Sequence, residues 1–159
     1  MLEAGARAPG FELPDARGGM RSLSAILAEG PALLAFYKAS CPVCQFTFPF
    51  LERIYAGGGK GAASIRIVGI SQDKPAEALA FQEEYGITFP ILIDDSTSHY
   101  AVSNAFGVHT VPSLFLVEPD GAISASCAGF SRQELEALGH RMGVAPFRPE
   151  ERIPDYRPG

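Results

Sequence analysis

Residues 35–50 read Ala-Phe-Tyr-Lys-Ala-Ser-Cys-Pro-Val-Cys-Gln-Phe-Thr-Phe-Pro-Phe, an apolar strand that runs into a Cys-Pro-Val-Cys turn and then into an amphipathic helix. Two cysteines with two residues between them, at the first turn of a helix, lie close enough to close a small disulfide ring with little backbone movement. The helix start adds chemistry to that geometry, because its unpaired N–H groups and the positive end of its dipole favour a thiolate over a thiol. Cys41, at or just before the first turn, is the candidate nucleophile. Cys44, one turn inward, is expected to be buried, and so to attack a mixed disulfide from behind rather than meet a substrate first.

Working outward, residues 32–37 form a near-continuous apolar run that fits a strand buried on both faces. After the cysteines, Phe46, Phe50, Leu51 and Ile54 recur at helical spacing, Pro49 removes one backbone hydrogen bond within the pattern, and the run Gly57-Gly58-Gly59 ends it. Residues 64–70 predict the next buried strand, and the turn from Ser71 to Pro75 opens a helix through Tyr85 with Leu79 and Phe81 among its apolar positions. Residues 89–93 give a short strand, and Asp94-Asp95-Ser96 leads into a helix through about Phe106, stopped by Gly107. A strand over 111–117 begins at a proline, turns at Pro119-Asp120-Gly121, and returns antiparallel over 122–127. Ser131 and Glu134 are spaced as a capping box for a helix to Arg141.

Upstream, residues 11–13 predict a short edge strand, and Ser24 caps a brief helix through Ala28. Downstream, four prolines between 146 and 158 predict a tail over 143–159 that is extended or loosely draped. Strands alternating with helices and closed by a hairpin predict an α/β fold with a central mixed, mainly parallel, sheet and helices on both faces.

The chain of 159 residues has room for one domain, and 47% apolar with 19% charged residues is the composition of a globular core with a polar surface. The net charge of −5, with no lysine or arginine cluster to offset it, argues against non-specific binding to nucleic acid or anionic membrane. No run resembles a signal peptide or spans a bilayer, so the expected location is cytoplasmic, or periplasmic if a leader has been removed. Three cysteines, an odd count, do not make a secreted disulfide framework. No Walker or Rossmann glycine loop occurs, so no nucleotide or flavin is expected.

Taken together, Cys-Pro-Val-Cys, the in-helix Pro49, Gly-Val-His-Thr-Val-Pro-Ser-Leu-Phe-Leu-Val at 107–117, Pro-Asp-Gly and Gly129 resemble the thioredoxin superfamily. The resemblance is closest to its redoxin branch, the TlpA-like thiol–disulfide oxidoreductases and the AhpC/TSA peroxiredoxins. It covers roughly residues 8–141, within a domain drawn as 1–142, and residues 72–93 look like that branch's central insertion. It implies a thioredoxin-like fold with a cis peptide at Val111–Pro112. The Val111 backbone would pair with an extended client beside Cys41, Pro42 and Val43. It further implies a disulfide-bearing protein or peptide as client, thioredoxin or another thiol as reductant, and no cofactor beyond a Cys41–Cys44 disulfide.

Two positions depart from the family pattern. Ser40 stands where a tryptophan commonly precedes the first cysteine, and Ala35 stands where thioredoxin carries a buried aspartate that serves Cys44 as proton acceptor. Asp73, Glu77 and His109 are the candidate substitutes, and Lys38 is a candidate for favouring the Cys41 thiolate by its charge.

Two alternatives stand beside disulfide exchange. In a peroxidase, Cys41 would become a sulfenic acid that Cys44 condenses to the same disulfide. The peroxiredoxin pattern of Pro, three residues, Thr, two residues, Cys fails, however, since Leu34 and Lys38 hold those positions. In a redox-inert or zinc-binding adaptor, Cys127, His99, His109 or His140 would complete a metal site, although no second pair stands at ligand spacing. No metal is expected, and Cys127 reads as a small packed residue.

Overall fold

The computed structural model describes residues 1–58 and 64–159. Strand β3 (Ala32–Tyr37) lies at the centre of a five-stranded sheet and is buried at every position. The sheet runs β5 (Ile91–Ile93), β4 (Arg66–Ser71), β3, β6 (Ser113–Val117) and β7 (Ile123–Ala128). Pairings β3–β4 and β4–β5 are parallel, whereas β3–β6 and β6–β7 are antiparallel, so the sheet is evenly mixed rather than mainly parallel.

The period of two along β3 divides the core. Leu33, Ala35 and Tyr37 face a layer built from α2 (Pro42–Gly57), α3 (Pro75–Tyr85) and α5 (Arg132–Met142). Ala32, Leu34 and Phe36 face α1 (Leu23–Leu27) and Phe106, which follows α4 (Ala101–Ala105). Both faces are therefore covered by helices, which is why the strand reads as one apolar run. On the first face Phe48 is fully buried, its ring 4.4 Å from Tyr37, 5.5 Å from Phe81 and 5.7 Å from Phe89, centre to centre. Small residues make room for these rings. Ala35 pairs across the ladder with Gly69, where an added Cβ would run into the Ile91 side chain.

Several local expectations are corrected. The buried stripe of α2 is Cys44, Thr47, Phe48, Leu51 and Ile54, with Phe50 beside it, while Phe46 sits half-buried on the flank. In α3 the buried positions are Ala78, Phe81 and Gln82, and Leu79 is only partly covered. Ser22 rather than Ser24 caps α1, accepting from Ala25 N at 3.2 Å. Strand β1 (Glu12–Pro14) has a partner the sequence did not announce, β2 (Met20–Ser22).

The predicted helix over 94–106 is a 3-10 turn (Ser96–Ser98) and a separate α4, parted by His99 and Tyr100 in left-handed conformation. The buried Asp94 carboxylate explains the break, because it accepts from Ser98 Oγ, Val102 N, Ser103 N and Ser103 Oγ, collecting the donors at the start of α4. Helix α2 ends at Gly57 with Gly58 as its cap, and Gly59 of the predicted glycine stop lies outside the described residues.

The segment after α5 is extended, yet it is docked rather than loosely draped. The Phe147 ring packs against Phe50 at 5.1 Å, and Glu151 forms a two-pronged bond with Arg53 at 2.8 and 3.1 Å. The Arg53 guanidinium, with the Arg148 amide, pulls the Glu151 carboxyl down to about 2. Strand β9 (Tyr156–Arg157) then pairs antiparallel with β8 (Phe130–Ser131).

Candidate active site

Cys41 is the cap of α2, in extended conformation, and Pro42 occupies the first helical position. A proline costs nothing there, since the first N–H groups of a helix have no internal partner. The geometry turns the Cys41 sulfur back over the helix start, where it accepts from Cys44 N at 3.3 Å. The same sulfur reaches the carbonyl of Val111 across the site, 3.4 Å away. The Val111–Pro112 bond is cis, as the resemblance implied, and Val111 lies ahead of β6 with its N–H unpaired among the described residues. Cys41 is half-buried, Pro42 is exposed, and Cys44 is fully buried. The two thiols are thus set apart as read, one reachable and one covered.

Burial, first, and the hydrogen bond to Cys41, second, push the Cys44 thiol well above its ordinary range. The charge of Asp73 acts in the same direction, while the Lys38 backbone amide opposes it. Lys38 therefore touches the site through its main chain, and its side chain is exposed. It shares a groove with His109, Gln72 and Val111. Glu77 and Asp73 line a second groove, with Ala39 and Ser40.

Of the three candidate proton acceptors only Asp73 is built into the site. Its Oδ2 accepts from Ala39 N at 2.7 Å and from the Ser71 hydroxyl at 3.2 Å, two residues ahead of Cys41 and at the end of β4. Glu77 and His109 are exposed.

Sequence reasoning missed Tyr37 and Ser71. They are cross-strand partners at the ends of β3 and β4, both fully buried, and the Tyr37 hydroxyl lies beside Ser71 without a hydrogen bond of good geometry. Burial raises the Tyr37 phenol far above its usual range. The alternation along β3, which puts Tyr37 on the face of Ala35 and Cys44, was the available signal. Also missed was Gln45, whose side-chain amide donates to Ala39 O at 2.8 Å and braces the loop before Cys41.

Cys127 stands apart, on β7, lining an apolar cavity with Leu33, Leu114, Leu135 and Leu138, and burial pushes its thiol up to about 12. No three His, Cys, Asp or Glu side chains converge as a ligand set among the described residues, so His99, His109, His140 and Cys127 do not complete a site around the dithiol. Among those residues, too, no helix is long and apolar enough to cross a membrane.

The two raised thiols fix a dependence of stability on pH. In the unfolded chain each ionises near the ordinary value of 9.0, whereas the folded chain keeps its proton to higher pH. The folded state then binds more protons, so this contribution is intact below about pH 9 and is lost as pH rises toward and beyond 12, by at most about 1.4 kcal/mol per pH unit for each group. Urea midpoints of the reduced protein should be level near neutrality and fall above about pH 9, and Cys127→Ala should make that fall shallower.

Exchange of dithiol for disulfide is what this arrangement of a reachable sulfur and a covered sulfur beside a cis-proline loop performs, and the chain is a thiol–disulfide oxidoreductase of the thioredoxin superfamily. It belongs to the AhpC/TSA family, whose model matches residues 4–126. The thiol–disulfide oxidoreductase ResA of Geobacillus thermodenitrificans is 30% identical over 133 residues, covering 84% of this chain and 74% of its own. A Mycobacterium tuberculosis relative described as a peroxiredoxin, Rv2521, is 30% identical over 149 residues, covering 87% and 90%. The fold matches the solution structure of a thiol:disulfide interchange protein from a Bacteroides species, with a TM-score of 0.75 at 22% identity over 91% of this chain and 93% of that one.

Proposed function

We propose that the chain reduces or exchanges disulfides in protein or peptide clients, with Cys41 as nucleophile and Cys44 as resolving thiol. The observation that carries this reading is the Cys41 sulfur at the cap of α2, 3.3 Å from Cys44 N and 3.4 Å from the Val111 carbonyl. The Cys41 thiolate attacks one client sulfur, the client disulfide breaks, and the departing sulfur takes a proton. Cys44 then gives up its proton and attacks the Cys41 sulfur, which releases the second client thiol and leaves Cys41–Cys44 oxidised. Two electrons have passed to the client, and thioredoxin or another dithiol restores them. The cycle uses no cofactor beyond that disulfide.

An extended client pairs with the main chain of Val111 and rests on Pro42 and Val43. The Cys44 proton passes to Asp73, directly or through Ser71, Tyr37 or water. Transfer from a buried thiol to a carboxylate exchanges one anion for another, and it costs less than creating a thiolate beside an existing negative charge.

The relative described as a peroxiredoxin supports a second reading, in which peroxide oxidises Cys41 to a sulfenic acid and Cys44 displaces water. Leu34, buried in β3, and the exposed Lys38 stand where a peroxiredoxin carries its proline and threonine. The test is a parallel assay of insulin reduction and peroxide consumption with one dithiol donor. Insulin reduction that exceeds peroxide consumption is the expected result, and the reverse ranking would establish the peroxidase.

A further inference from the structure

Residues 156–159 lie on the client edge itself. Gly129 donates its N–H to Pro112 O at 2.7 Å, beside the cis-proline loop, and its open α-carbon is covered by the carbonyl of Arg157. Two residues on, the backbone of Gly159 rests against the Val111–Pro112 peptide. A methyl group added at Gly159 would collide with the Val111 carbonyl oxygen and stand 3.4 Å from Pro112 N. That carbonyl is the group facing the Cys41 sulfur at 3.4 Å.

The anchors of this segment are unevenly distributed. Phe147 against Phe50, Glu151 on Arg53 and the Asp155 carbonyl on Arg132 N hold the stretch before residue 156. After it come a two-residue strand, the exposed Tyr156, and the Arg157 guanidinium 4.8 Å above the centre of the half-buried Phe46 ring. Pro158 and Gly159 are exposed. Residues 156–159 are thus held by fewer contacts than the stretch before them and can lift without disturbing the upstream anchors.

We propose that residues 156–159 are a displaceable strap that competes with extended clients for the main-chain edge at Val111, so that the chain favours small disulfides until the strap moves. The inference rests on the reading of Val111 as the client edge. An extended client needs the face of Val111 that Gly159 covers, whereas a small disulfide needs only the Cys41 sulfur. An edge available for a fraction of the time lowers the apparent affinity of what must bind there by that fraction.

The test compares the reduced full chain, a chain ended after Asp155, and Arg157→Ala, each attacking insulin and, separately, glutathione disulfide. If the strap covers the edge four-fifths of the time, ending the chain raises the rate constant for insulin about fivefold. Arg157→Ala raises it by less, and the rate with glutathione disulfide stays within about twofold because that reaction does not need the edge. An insulin rate that is unchanged or lower in both variants, while glutathione disulfide still reacts, overturns the strap and leaves the dithiol reading standing. A full chain that attacks neither disulfide overturns both. Arg157→Ala keeps the test decisive if the shortened chain does not fold.

Discussion

Replacing Cys44 with serine is expected to leave a client bound covalently to Cys41, while Cys41→Ser captures none. Cys44 is fully buried and its thiol is held protonated by desolvation, so no client sulfur reaches it first. Cys41 is half-buried at the helix cap, beside the edge where a client would lie. With Cys44→Ser the first attack proceeds and the second has no nucleophile, so reduced protein mixed with a disulfide client should give a complex that survives denaturing gels and disappears with dithiothreitol. Multiple-turnover reduction should fall on the order of 10³-fold or more in both variants, because each cysteine is needed in every cycle. Equal trapping by the two variants would overturn the assignment of roles. The serine replacements are nearly the size of the native side chains, so near-native thermal unfolding should accompany the loss of turnover.

The central strand and the site were legible in the sequence because their signals are local. A run of six apolar residues, a dithiol at a helix start and a proline at the start of a strand each announce themselves within a few residues. The sequence-based reading failed where the deciding contact was distant. The helix over 94–106 has good periodicity, yet Asp94 gathers the donors at the start of α4, and the chain turns left-handed at His99 and Tyr100 to let it do so. The segment after α5 has no period at all. Its position follows from scattered pairs such as Arg53 with Glu151 and Phe50 with Phe147, whose partners are almost a hundred residues away in the chain and carry no local pattern.

The choice among Asp73, Glu77 and His109 was equally closed to the sequence, since each is polar and near a loop. It was the fold that set Asp73 under Ala39 N and left the other two exposed.

Asp73→Asn is expected to slow release of the mixed disulfide at neutral pH on the order of 10²-fold, the usual scale for loss of a positioned proton acceptor. Asparagine keeps an oxygen for the Ala39 N–H and the Ser71 hydroxyl, so the loop before Cys41 should hold its place and the first attack should change little. What the variant loses is the carboxylate proposed to take the Cys44 proton. Resolution then depends on base from solvent, and its rate should climb about tenfold per pH unit from neutrality upward, steeper than in the native protein. A merely structural role for Asp73 would shift the rate without changing that slope. Quenched trapping of the mixed disulfide across a pH series reads both quantities, and identical profiles in the two proteins would remove Asp73 from the mechanism.

Ala35→Asp supplies the complementary arm, because residue 35 faces the layer that contains Cys44 and stands where thioredoxin carries its acid. In the native background it should alter resolution little if Asp73 serves Cys44 as proposed. In the Asp73→Asn background it should restore part of the lost rate. The new carboxyl enters a fully buried position opposite Gly69, and it should cost stability on the order of 1 to 3 kcal/mol even when neutral, so folding of the double variant is checked first. A single Ala35→Asp protein that resolves much faster than the native chain would show that no acceptor serves Cys44 now, and that Asp73 only braces the loop.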